Sequence, residues 1–296
     1  MTDNVNSKQE ILEKYREAGR ILKTVRIEAV EMIRVGNSLL KVAELVENRT
    51  IELGGRPAFP CNISRNEEAA HATPKAGDTD VFERDMVKLD LGVHVDGYIA
   101  DSAVTVDLSG NSDILKAAEE ALAAAIDLAR PGITTGKIGA AIEDSIRSYG
   151  LNPIMNLTGH GLSQYEAHDE PLVPNKRVEG GVILREGDIF AIEPFATDGE
   201  GLIHEGGWTE IYNLKSKKPG RMPAVRNVLK QAEEYKGLPF AKRWLESDKL
   251  DFALIQLKKA GIFHSYPVLL ENAGGLVAQA EHTIVVTQDG CEVITK

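Results

Sequence analysis

VKLDLGVHVDGYIADSAVTV, residues 87–106, consists of two apolar, β-branched runs on either side of Asp96-Gly97, and it reads as a β-hairpin closed by a two-residue turn. With Asp96-Gly97 as the turn, Val95 faces Tyr98, Gly92 lies opposite Asp101, and Asp90 lies opposite Ala103. Asp90 and Asp101 then share one face as diagonal neighbours, their Cβ atoms about 7 Å apart, so both carboxylates reach a common pair of cations. Gly92 leaves room beside them. An acid on an antiparallel strand usually faces water. Two of them on one face of largely apolar strands repel each other unless a cation lies between them.

Working outward, the same chemistry recurs on other apolar stretches. Glu193 sits in Ile189-Phe190-Ala191-Ile192-Glu193-Pro194-Phe195, inside an expected strand from Asp188 to Phe195, and Glu281 sits inside an expected strand from Leu276 to Val286. A buried carboxylate without a partner is costly. His160, flanked by glycines in Thr158-Gly159-His160-Gly161, adds a nitrogen donor that neighbours can approach closely. Taken one at a time, each of the five has a bland reading as a surface acid or a satisfied core histidine. Together they form an oxygen-rich donor set without a thiolate, suited to manganese, iron, cobalt or zinc according to supply.

Around these strands the pattern is helical. Ser7 and Glu10 form a capping box, after which Ile11, Tyr15, Ala18, Leu22, Val25, Ala29 and Met32 recur at three- and four-residue steps. Further helices are expected from Asn37 to Gly54-Gly55, from Ile114 to Ala129, and from Thr135 to Tyr149. An offset of 96 residues carries Gly36 onto Gly132, Lys41 onto Lys137, Glu47 onto Glu143, Gly54 onto Gly150 and Pro57 onto Pro153. Two related α/β halves would produce this, and so would any two similarly capped amphipathic helices.

The bulk properties set bounds on this reading. A chain of 296 residues with 43% hydrophobic content supports a sizeable core in one large domain or two small ones. No apolar run approaches the ~18 residues of a spanning helix, and the amino terminus carries no signal-like segment. Cys61 and Cys291 are far apart and form no CxxC pair, which favours a reducing, cytoplasmic setting. The net charge of −11 disfavours whole-surface attraction to nucleic acid.

Five ordered segments strongly resemble the methionine aminopeptidases: Ala69-Ala70-His71-Ala72-Thr73-Pro74, Lys88-Leu89-Asp90 with Asp101, Thr158-Gly159-His160-Gly161, Ala191-Ile192-Glu193-Pro194-Phe195, and Ala278-Gln279-Ala280-Glu281-His282-Thr283. A separation of eight positions from His160 to His168, and about 60 residues inserted before the last ligand strand, look like the type 2, archaeal form. The resemblance implies a pita-bread fold with pseudo-twofold α/β halves and a cleft holding two divalent metals. By its implication Asp101 and Glu281 bridge the metals, Asp90 completes one site, and His160 with Glu193 completes the other. Glu193 would also act as general base. His71 and His168 would bind substrate and polarise its carbonyl, and Phe59 would wall the methionine pocket unless it is an ordinary core aromatic. His94, His204, His264 and His282 read as structural.

The activity implied is removal of the initiator methionine from nascent proteins with a small second residue, by a cytoplasmic monomer. Proline-specific peptidases share the ligand set but usually carry a large amino-terminal domain. Non-catalytic binding relatives lose ligands. Residues 1–212 and 268–296 are expected to form the catalytic body, and 213–267 an inserted helical subdomain. Between Lys215 and Lys259 there are 12 Lys or Arg against five acids, a local +7 that leaves −18 for the remainder. The insert is therefore a solvated basic face or a weak contact for ribosomal RNA.

Overall fold

The computed structural model describes residues 2–216 and 222–296, with side chains from residue 8 onward. Helix α1 spans Thr2–Met32, α2 Leu39–Glu52, α3 Ser112–Leu128 and α4 Thr135–Ser148. α1 begins before the Ser7–Glu10 box because neither proline nor glycine interrupts the preceding residues. Its predicted face is inward: Tyr15, Ala18, Leu22, Val25 and Ala29 are buried. Ser38 caps α2 by accepting the Lys41 N–H at 3.4 Å.

The body strands that matter here are, in chain order, β1 (Met86–Val95), β2 (Tyr98–Asp107), β3 (Thr158–Ser163), β4 (Glu166–Pro174), β5 (Ile189–Ile192), β6 (Phe195–Thr197), β7 (Val277–Gln279) and β8 (His282–Val286). The β1–β2 hairpin has the expected register, Asp90 opposite Ala103, Gly92 opposite Asp101 and Val95 opposite Tyr98. Asp96 and Gly97 both have positive φ, as a type I′ turn requires. β1 also pairs with Asn62–Arg65, in a four-stranded sheet covered by α1 and α2. Strands β8, β5, β3 and β4 lie in a five-stranded sheet whose core includes side chains of α3 and α4.

The two layers repeat each other, as the 96-residue offset suggests. Gly36 donates to Phe82 O and Gly132 to Leu184 O; Leu39 donates to Asp80 O and Thr135 to Val182 O. The isolated bridges Ser38–Val81 and Thr134–Ile183 occupy equivalent places. Gly54 and Gly150 both take the left-handed conformation that ends each second helix, and Val42 and Ile138 are both fully buried.

Two expected strands are broken, each at a candidate acid. Asp188 to Phe195 divides into β5 and β6 at Glu193-Pro194, and Leu276 to Val286 into β7 and β8 at Ala280-Glu281. β5 pairs with β8 in one sheet, and β6 with β7 in another. Pro194 has no N–H for a continuous ladder, while its carbonyl accepts from Ala280 N and Ala103 O accepts from Glu281 N. The joint between the layers is made by hydroxyl side chains: Thr283 Oγ1 accepts from Asp101 N and donates to Asp101 O, Ser102 Oγ donates to Glu281 O, and Thr105 Oγ1 donates to Gln279 O.

Between β6 and β7 lie helices α5 (Pro223–Ala232) and α6 (Leu250–Lys259) and a three-stranded sheet of Ile211–Leu214, Phe240–Ala241 and Phe263–Tyr266. The stretch expected to be helical thus contains sheet as well. Val225, Leu229, Phe240, Leu254 and Leu257 pack mainly on one another in a cluster of their own.

Candidate metal centre

Phe59, His71, Asp90, Asp101, His160, His168, Glu193 and Glu281 come from separate segments and line one cavity of ≈ 230 Å³. Asp90 and Asp101 enter from adjacent strands of the hairpin, His160 from β3, and Glu193 and Glu281 from the two strand breaks. Donor atoms of Asp101, His160 and Glu281 all lie within 4.8 Å of one another. His160 Nε2 is 3.5 Å from Glu193 Oε1 and 3.8 Å from Asp101 Oδ2. Both carboxylates therefore approach the same imidazole nitrogen.

Burial governs the electrostatics. It pushes Asp90 up to about 7, against hydrogen bonds from Asn62 and Gln279 that favour its ionised form. Asp101, Glu193 and Glu281 are held well above the usual carboxylate range, first by burial and then by neighbouring charge, that of Asp90 on Asp101, of Asp90 and Asp101 on Glu193, and of Asp101, Glu193 and Asp90 on Glu281. His160 is pushed down to about 3 by burial, with His168 adding to the effect. A neutral imidazole among oxygen donors is a ligand in its binding-competent form.

Divalent cations fit these residues. Asp90 Oδ1 and Asp101 Oδ1 are buried without a hydrogen-bond partner, and such orphaned oxygens among mutually repelling acids are stabilised by positive charge. The donor set is all oxygen and imidazole nitrogen. Neither Cys61 nor Cys291 lines the cavity.

The glycine beside the acids has a different use from the one expected. A Cβ on Gly92 would collide with the Phe59 ring, so the glycine seats the aromatic wall rather than leaving a gap. His71 has φ 65, unusual for a non-glycine residue and frequent where a side chain is held for function. Its Nδ1 lies 3.2 Å from Pro267 O, and its ring meets that of Tyr266 edge-on at 5.5 Å. Burial, more than the neighbouring His168, keeps the His71 pKa near 4; burial also lowers that of His168.

Two groups at the site went unnoticed in the sequence. Gln279 Nε2 lies 3.4 Å from both Glu193 Oε2 and Glu281 Oε2, and Asn62 stands opposite Asp90 in the ladder. Gln279 precedes Glu281 by two positions on an expected strand, a signal that was readable. Asn62 carries no such signal. Of the other histidines, His94 accepts from Gly97 N, His204 faces Asn272 and His282 faces Thr295. His264 packs its ring edge-on against Tyr266.

Two α/β layers closed on a buried cluster of four carboxylates and an imidazole define a metallohydrolase of the pita-bread class. A model of metallopeptidase family M24 matches residues 13–288, and the chain belongs to that family. It is similar to the methionine aminopeptidase of Archaeoglobus fulgidus, 53% identical over 289 residues that cover 97% of this chain and 99% of the relative. The methionine aminopeptidase of Methanocaldococcus jannaschii is 49% identical over 290 residues, covering 96% and 98%. Among solved structures, the methionine aminopeptidase from Thermotoga maritima superposes with a TM-score of 0.73 at 25% identity, covering 97% of each chain.

Proposed function

We propose that this chain is a methionine aminopeptidase that removes the initiator methionine of nascent proteins with a small second residue, using two divalent cations held by Asp90, Asp101, His160, Glu193 and Glu281. The observation that carries this is the convergence of those five side chains, with Phe59, His71 and His168, on one buried cavity. Bound cations would supply Lewis acidity and a water of lowered pKa. Glu193, at the cavity wall, takes the proton of the attacking water and returns it to the leaving amine. The carbonyl of Pro267 can only accept, so Nδ1 of neutral His71 carries the proton and Nε2 is left to accept a substrate N–H. Polarising the scissile carbonyl then falls to His168. The body comprises residues 1–212 and 268–296, with 213–267 as the insert.

The test is cleavage of Met-Gly-Met-Met, Met-Lys and Ala-Pro peptides by metal-loaded and chelated protein. Cleavage of Met-Gly alone, lost on chelation and restored by manganese, iron, cobalt or zinc, is the expected outcome. Equal cleavage of Ala-Pro peptides would assign the site to the proline-specific relatives.

The +7 of the insert supports a finer reading, a salt-sensitive contact with ribosomal RNA in the cytoplasm where the substrate emerges. Lys230, Lys249, Lys258 and Lys259 are exposed, whereas Lys242 pairs with Asp251 and Arg243 is buried; Lys217, Lys218 and Arg221 lie outside the described residues. Co-sedimentation with ribosomes at low and high salt tests it. Equal binding by wild type and a Lys230→Glu, Lys258→Glu, Lys259→Glu variant would leave the patch a solvated face.

A further inference from the structure

The insert closes the cavity from one side, where its Pro239 and Tyr266 line the same space as Phe59, His71 and Ile211 of the body. One buried cluster joins the two sides. Arg243, in the short 3-10 turn Lys242–Trp244 of the insert, is paired with Glu47 of α2, and the two side chains are 6% and 10% exposed. Arg243 Nη1 also donates to Thr73 Oγ1 at 2.9 Å and to Pro74 O at 2.8 Å. The neighbouring Trp244 Nε1 donates to Glu47 Oε2 at 2.8 Å. Glu47 Oε1 accepts from Cys61 N at 3.3 Å, and Thr73 Oγ1 donates to Cys61 O at 2.7 Å.

These bonds converge on two short segments. Cys61 is two residues after Phe59, and Thr73 is two residues after His71. The pair therefore holds the methionine wall, the substrate-binding histidine and the insert opposite them in one network. None of its hydrogen bonds or ion pairs goes to Asp90, Asp101, His160, Glu193 or Glu281. A buried ion pair is a poor source of net stability but an effective means of fixing one arrangement, because each charge tolerates few other partners. Beyond the pair a second cavity of ≈ 670 Å³ opens between α2 and the insert, lined by Glu47, Tyr235 and Trp244. The two sides thus meet here through this polar network and through Leu238 of the insert, which is buried in the apolar cluster of the body, with open volume beyond.

We propose that Arg243 and Glu47 are positioning residues for substrate selection, which set the distance between the insert and the Phe59–His71 side of the cavity without taking part in metal binding. The inference rests on the methionine aminopeptidase reading, since it takes Phe59 and His71 as substrate contacts. Removing the pair lets the insert shift, so the methionine fit loosens and the limit on the second residue relaxes.

The experiment compares wild type with Glu47→Gln, Arg243→Met and Arg243→Lys, measuring metal content, unfolding temperature, and kcat and KM on Met-Gly-Met-Met and on a Met-Leu peptide. Glu47→Gln and Arg243→Met are expected to keep full metal content and kcat within about threefold, to raise KM for Met-Gly-Met-Met at least tenfold, and to narrow the preference for Gly over Leu in the second position. Arg243→Lys, which retains the charge but not the fork, should fall between. A KM within twofold of wild type in folded Glu47→Gln overturns the inference, as does a loss of kcat that tracks loss of metal. Should Arg243→Met fail to fold, the isosteric Glu47→Gln decides. Wild type that is folded and metal-loaded yet cleaves no Met-Gly peptide counts against the functional reading instead; exchange protection of the Cys61 amide, expected to fall in Glu47→Gln, then decides whether the pair holds the Phe59–His71 side.

Discussion

Replacing Gly159 with alanine tests how β3 and β5 carry the site. A Cβ at Gly159 would lie 2.4 Å from Ala191 O, below the 3.0 Å that real Cβ atoms respect. The strands must therefore separate by at least 0.6 Å, the difference of those two distances. Ala191 and Ile192 are fully buried, so β5 has no free direction of retreat. His160 follows the substituted residue, and Glu193 follows Ala191 by two. The clash therefore acts directly on the 3.5 Å separation of His160 Nε2 and Glu193 Oε1. Metal–ligand distances tolerate about 0.2 Å, so a displacement three times as large should weaken metal affinity ~10- to 100-fold. Overpacking alone costs about 1–3 kcal/mol of stability. Titration of metal-free protein with Mn²⁺ or Co²⁺ by calorimetry, alongside thermal unfolding, reads both quantities. Gly207→Ala, where a Cβ meets nothing within 4 Å, is the control. Metal affinity in Gly159→Ala equal to that of the control would refute the claim that these strands set the ligand spacing.

Asp101→Asn removes a charge from a buried group of like charges, so it should raise the Tm of metal-free protein while lowering that of metal-loaded protein and cutting kcat at least ~100-fold; shifts of the same sign in both forms would contradict the metal role. His94 should make stability acid-sensitive. Burial, reinforced by Arg56 and Lys236, holds its pKa near 4 against an ordinary 6.5, so the unfolded chain binds the proton first and stability falls as pH drops from 6.5 towards 4. Denaturant unfolding of His94→Leu across that range should show a flatter pH dependence than wild type, whereas an identical slope would rule out the assignment.

The hairpin was legible in the sequence because a two-residue Asp-Gly turn fixes register, and register placed Asp90 and Asp101 on one face. The helices and their 96-residue repeat were legible through glycines that must take positive φ. Neither the division of β5 from β6 nor that of β7 from β8 could be read, because an apolar run with one acid has the same pattern whether it is continuous or kinked. Pro194 was the available hint. The Glu47–Arg243 pair was invisible for a different reason: its members are 196 positions apart, and neither lies in a motif.

The hydroxyl joint between the layers has a kinetic consequence. Asp101 and Thr283 meet across 182 positions, Ser102 and Glu281 across 179, and Thr105 and Gln279 across 174. Each hairpin and helix can form from nearby residues, but these closures wait for loop entropy to be overcome over more than half the chain. The four acids come together at that step, where their repulsion opposes docking. Ions present during refolding should therefore act on the slowest phase and leave the early helical signal unchanged, and a nick between the layers should release metal before it melts either sheet.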